Sequence, residues 1–89
     1  MSGYPITEIH KKLALENIKR LAVGCDVELY EARDYGWQVL VSNDDMNTVQ
    51  NFDAYLVGEN YIKRPEFADM TMLAELRQHR LVEEEGACR

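Results

Sequence analysis

Two runs of alternating polar and apolar residues, Val27-Glu28-Leu29-Tyr30-Glu31-Ala32-Arg33 and Trp37-Gln38-Val39-Leu40-Val41-Ser42, flank the tripeptide Asp34-Tyr35-Gly36. Alternation with period two marks a half-buried strand, and a glycine closing a three-residue loop supplies the left-handed backbone such a loop needs. The segment is predicted to be an antiparallel hairpin. This loop would set Arg33 opposite Trp37, Glu31 opposite Val39 and Leu29 opposite Val41. Val27, Leu29, Trp37, Val39 and Val41 then share one face, the core face, with Glu31 and Arg33 toward its loop end. The reverse face carries Glu28, Tyr30, Ala32, Gln38, Leu40 and Ser42, polar around a Tyr30/Leu40 pair.

The flanks read as helix. From Thr7 to Val23, Ala14, Leu15, Ile18, Leu21 and Ala22 recur at three- and four-residue spacing, with Thr7 placed to cap the start and Gly24 to end the helix. Ile9 and Leu13 project to another side, and Lys12, Glu16 and Lys19 form a solvated outer face. After the hairpin, Ser42, Asn43, Asp44 and Asp45 have capping chemistry, and Val49, Phe52 and Leu56 keep helical spacing. The reading taken is a helix over about 45–57, ended by Gly58; its rival is a loop and a third strand from Phe52 to Val57. A last helix begins at Arg64-Pro65, with Glu66 and Asp69 near its positive end. Phe67, Met70, Leu73, Ala74 and Leu81 supply its apolar side, while Met72 and Leu76 point the other way and are read as core or loop packing ahead of a contact surface.

Together these elements predict one α+β domain over residues 1–89, ordered α-β-β-α-α or alternatively α-β-β-β-α, with frayed ends at about 1–5 and 84–89. A chain of 89 residues with 46% hydrophobic content supports one modest core, which dimerisation would enlarge. No apolar run nears the roughly 18 residues of a membrane span, and Met1-Ser2-Gly3-Tyr4-Pro5 lacks a secretory layout, so a cytoplasmic location is expected. Cys25 and Cys88 match no metal or disulfide spacing; Cys25 is read as a small hydrophobe and Cys88 as a thiol in a fraying tail.

Enzyme chemistry finds no support in the residues. Neither Ser2 nor Ser42 stands in a nucleophile elbow, and the five glycines are too scattered to cradle a phosphate. Glu75, His79 and Glu83 at four-residue intervals are an ordinary helix-surface pattern, so no metal or other cofactor is assigned. His10 has no identifiable acid or nucleophile beside it and is read as solvated or capping. No catalytic residue is named.

Charge is the remaining signal. Between Asp26 and Ile62, eight acids (Asp26, Glu28, Glu31, Asp34, Asp44, Asp45, Asp53 and Glu59) face one base, Arg33, in a chain of net charge −6. Such a balance argues against direct nucleic-acid binding, and Pro65-Glu66-Phe67-Ala68-Asp69 stands where a double-stranded-RNA-binding domain would carry lysines. Carboxylates interleaved with tyrosines suit a basic protein partner. Glu28, Tyr30, Glu31, Asp34, Tyr35, Asp44, Asp45 and Asp53 are the expected contact residues.

In size, charge and element order the chain resembles the small acidic α+β proteins with which bacteriophages block host nucleases and other DNA-binding defence proteins, anti-CRISPR proteins among them. The resemblance implies a non-enzymatic inhibitor that occupies a nucleic-acid-binding surface by DNA mimicry. A homodimeric structural or assembly module is the second reading.

Overall fold

Every fourth residue of helix α1 (Ile6–Leu21) turns inward, so that His10, Ala14, Ile18 and, just past its end, Ala22 form its buried line. This is the expected stripe in narrower form, with Leu15 and Leu21 on its half-buried flanks. A computed structural model describes residues 6–83, apart from the side chains of Ile6, Val49, Gln50 and Asn51. The expectations for the two chain ends and for Cys88 fall outside the described residues. Thr7 lies within the first helical turn and is not the cap. Gly24 closes the other end in the left-handed region, at φ 86°.

Strands β1 (Asp26–Ala32) and β2 (Gly36–Ser42) form the antiparallel hairpin, and β3 (Thr48–Asp53) extends it to a three-stranded sheet in the order β1-β2-β3. The register differs from expectation. Ala32 pairs with Gly36, Glu31 with Trp37, Leu29 with Val39 and Val27 with Val41, because the loop is Arg33-Asp34-Tyr35 and Gly36, at φ 72°, is already a paired residue. A slip of two residues preserves side-chain parity, so both faces stand as read. Val39 and Val41 are fully buried, with Val27, Leu29 and Trp37 packed around them.

No helix spans 45–57. Asn43 accepts the backbone N–H groups of Asp45 and Asn47 on its side-chain oxygen, each at 3.1 Å, which builds a turn with Met46 at φ 70° and leads into β3. The rival strand is real but starts earlier, and it ends where Asp53 caps helix α2 (Ala54–Lys63) through Oδ1 and the Leu56 N–H, 3.1 Å. A register shift between Val39 and Val41 brings Phe52 under the core.

Gly58 does not end a helix; it sits in the middle of α2, buried. A Cβ at this position would fall on the backbone of His10, 2.5 Å from its Cα and 2.8 Å from its carbonyl carbon. Helices α1 and α2 therefore cross with almost no space between their backbones. Beside the crossing, the His10 ring stacks on Tyr55 with centroids 4.2 Å apart, and its Nε2 meets Glu59 Oε1 at 2.7 Å. An ionised carboxylate only accepts, so Nε2 carries the hydrogen. His10 is thus a core histidine, 0% exposed, rather than a solvated or capping one.

Pro65 forces the break between α2 and α3 (Pro65–Gln78), leaving Arg64 extended at φ −147°, ψ 77°. Of the apolar side expected for this segment, Leu81 is buried and Leu73 half-buried, but Phe67, Met70 and Ala74 are exposed, and the main buried line of α3 runs through Met72 and Leu76. Ala68, Met72 and Leu76 face inward, while Phe67 and Met70 are 55% and 67% exposed. Tyr61 of α2 donates to Asp69 Oδ1 at 2.9 Å, and Arg20 of α1 reaches the same oxygen at 2.7 Å, tying the three helices together. The helix ends with Arg80 at φ 63° and Leu81 N–H on the Leu76 carbonyl, 2.8 Å, which returns Leu81 to the core. Cys25, packed against that core as expected, places its Sγ 3.2 Å from the Leu81 carbonyl oxygen. Burial, and then the nearby Asp26 carboxylate, push its thiol pKa up.

Replacing Gly58 with alanine gains helix propensity of about 0.8–1 kcal/mol but inserts a methyl into backbone. Urea unfolding of Gly58→Ala should show a net loss of about 1–3 kcal/mol; equal or greater stability would contradict the crossing.

Candidate interaction surface on the open face of the sheet

The helices cover one side of the sheet, the side of Val39, Val41 and Phe52. Strand parity sends Asp26, Glu28, Tyr30 and Ala32 of β1, and Gln38, Leu40 and Ser42 of β2, to the other side. Asp53, paired with Gln38, joins them at the end of β3. Among the described residues no helix packs on this face.

Two hollows mark it. The larger, about 690 Å³, is lined by Tyr30, Ala32, Asp34, Tyr35, Gln38 and Asp53. The smaller, about 250 Å³, is lined by Asp26, Val27, Glu28, Leu40 and Ser42. Gln38 is only 6% exposed although it belongs to the open face, and its Nε2 donates to the Tyr35 carbonyl at 2.8 Å. This bond fixes the β1–β2 loop over the end of the larger hollow.

The structure gathers only part of the expected contact set. Glu28, Tyr30 and Asp53 lie on the open face, and Asp34 and Tyr35 stand at its rim in the loop. Glu31 is exposed but has the parity of Trp37, so it projects from the opposite face of the sheet at its loop end. Asp44 and Asp45 occupy the β2–β3 turn, at the opposite end of the sheet from Asp34. The candidate set on the open face therefore excludes these three. Asp26 and Gln38 join it; Asp26 was legible from its even spacing with Glu28, whereas nothing in the sequence signals the burial of Gln38.

Charge is handled differently in the two layers. In the helical layer Lys11 pairs with Glu8 at 2.8 Å, Arg20 with Asp69 at 2.7 Å, and Lys63 with Glu59 at 3.2 Å. Lys11 also lies 4.0 Å from the centre of the Trp37 ring. Among the described residues no lysine or arginine forms an ion pair with Asp26, Glu28, Asp34 or Asp53.

Elsewhere, a groove of about 500 Å³ between β3, α2 and α3 includes Phe52, Leu56, Asn60, Met72, Glu75 and His79 in its lining. Glu75 and His79 meet at 3.4 Å, but α3 stops at Gln78, so Glu83 does not continue their row. Among the described residues no group of three metal-ligating side chains converges, and no helix is long and apolar enough to cross a membrane. Comparison with protein-family models, curated proteins and solved structures finds no match for this chain.

The hydrogen bond from His10, and next that from Lys63, hold the Glu59 carboxyl below its ordinary pKa. A carboxyl that is more acidic when folded stabilises the fold above its unfolded pKa, about 4.3, and loses that contribution as pH falls through the folded value. Stability measured by urea should drop between pH 6 and pH 3, and the drop should be smaller in Glu59→Gln; identical pH profiles would remove Glu59 from the account.

Proposed function

We propose that the protein is a non-enzymatic binding module whose open sheet face occupies a basic surface of another protein, one that otherwise binds nucleic acid. One observation carries the reading: the carboxylates of Asp26, Glu28 and Asp53, with Asp34 at the rim, share a face on which no lysine or arginine among the described residues pairs with them, while Glu8, Glu59 and Asp69 in the helical layer are ion-paired. Carboxylates left in water beside tyrosine rings attract a cationic partner over roughly a Debye length, about 8–10 Å, and speed its capture. Occupying such a partner's nucleic-acid site would make the module an inhibitor of the kind phages direct at host defence proteins.

The test uses charge reversal in a lysate pull-down at about 0.05 M and about 0.5 M salt. Glu28→Lys with Asp34→Lys should lose basic nucleic-acid-binding proteins at low salt, and added nucleic acid should compete them off the unaltered chain. Glu31→Lys, exposed on the opposite face of the sheet, should retain them. Equal capture by the open-face double variant would overturn the reading.

A homodimer is the second reading, favoured by the exposure of Phe67 and Met70 one turn apart on α3. Light scattering at high concentration separates the two. A monomer, unaffected by Met70→Lys, is the result expected here, whereas a dimer broken by that substitution would favour assembly.

A further inference from the structure

We infer that the larger hollow of the open face is a pocket for an arginine side chain presented by the bound protein. The inference rests on the reading above, that the face binds a basic protein, and specifies which cation it takes. Four features favour guanidinium over ammonium.

First, two carboxylates line the same hollow. Asp34 stands at one rim with no ion-pair partner among the described residues. Asp53 stands in the lining with Oδ1 engaged by the Leu56 N–H, leaving Oδ2 for a ligand. A planar group with five donors can serve several acceptors at once; a compact ammonium has three donors and is more strongly hydrated.

Second, Gln38 is more than nine-tenths buried and lines the hollow, yet only its Nε2 is hydrogen-bonded. Its Oε1 has no partner among the described residues. No solvent-inaccessible side-chain N or O atom lacks a partner among the described residues, so Oε1 reaches solvent and stays open to a donor while Nε2 anchors the amide.

Third, Tyr30 and Tyr35 both contribute to the lining, and Tyr35 is 76% exposed. Guanidinium stacks on aromatic faces more readily than ammonium does. Fourth, a volume of about 690 Å³ admits a long side chain together with some flanking backbone, in the range of ordinary ligand sites. The smaller hollow, with Asp26 and Glu28, has no tyrosine among the described residues of its lining and should not distinguish arginine from lysine.

The probes are two capped, rhodamine-labelled decapeptides, one alternating glycine and arginine, the other glycine and lysine, followed by fluorescence anisotropy at low salt. The arginine peptide should bind about tenfold more tightly than the lysine peptide. Tyr35→Ala and Asp34→Asn alter exposed loop side chains, and each should bring that ratio to within about twofold while lysine-peptide binding changes little. In NMR spectra the Gln38 side-chain amide should shift with the arginine peptide and not with the lysine peptide. Equal binding of both peptides, insensitive to Tyr35→Ala and Asp34→Asn, would overturn the pocket and leave the anionic face standing. Failure of both peptides to bind would overturn the face and the pocket with it.

Discussion

The approach of α2 to α1 at Gly58 sets the geometry of everything else. With no side chain there, the backbone of His10 occupies the space a Cβ would fill. The histidine ring then lies along α2, stacked on Tyr55 and bonded to Glu59. Close contact of the two backbones brings Ala54, Val57 and Tyr61 into the same core as Ala14, Ile18, Val39 and Phe52. Tyr61 in turn meets Asp69, and desolvation, followed by that carboxylate, raises its phenol pKa, so the hydroxyl stays a donor at any ordinary pH. One side of the sheet is filled by this arrangement, and among the described residues the other receives no helix.

Side-chain parity made the sheet legible in the sequence. Period two assigns Val27, Leu29, Trp37, Val39 and Val41 to one face whichever loop closes the hairpin, so an even error in register cost nothing. Capping chemistry was the weak point. A short side chain accepting a backbone N–H two or three residues on builds a helix cap or a turn equally well, and the chain uses Asn43 for the turn and Asp53 for the cap. On α3, large apolar residues pointed to the wrong face; the buried line Ala68, Met72 and Leu76 follows the four-residue spacing of α1, while Phe67 and Met70 stay in water. Gly58 and His10, 48 positions apart, can be recognised as neighbours only in three dimensions.

Of the candidate contact residues, the sequence could show that acids are concentrated between Asp26 and Ile62 but not how they are divided. Parity separates Glu28 from Glu31 across the sheet, and chain direction sends Asp44 and Asp45 to the end remote from Asp34. What remains on the open face is a smaller set, made more specific by Tyr30, Tyr35 and the buried amide of Gln38. The helical layer meanwhile uses several of its bases internally: Lys11 with Glu8, Arg20 with Asp69 and Lys63 with Glu59. This division, with Glu8, Glu59 and Asp69 ion-paired in the helical layer and the open-face carboxylates without a lysine or arginine partner among the described residues, is the physical basis of the binding account.

Paramagnetic relaxation of the free protein tests that division most directly, by comparing amide-proton relaxation with a cationic nitroxide against a neutral one of the same size. The account predicts the largest excess for the cationic probe at Glu28, Tyr30, Asp34 and Gln38, and none along the Lys12, Glu16 and Lys19 face of α1. A uniform excess over both layers, or shielding of the β1–β2 amides from either probe, would contradict it.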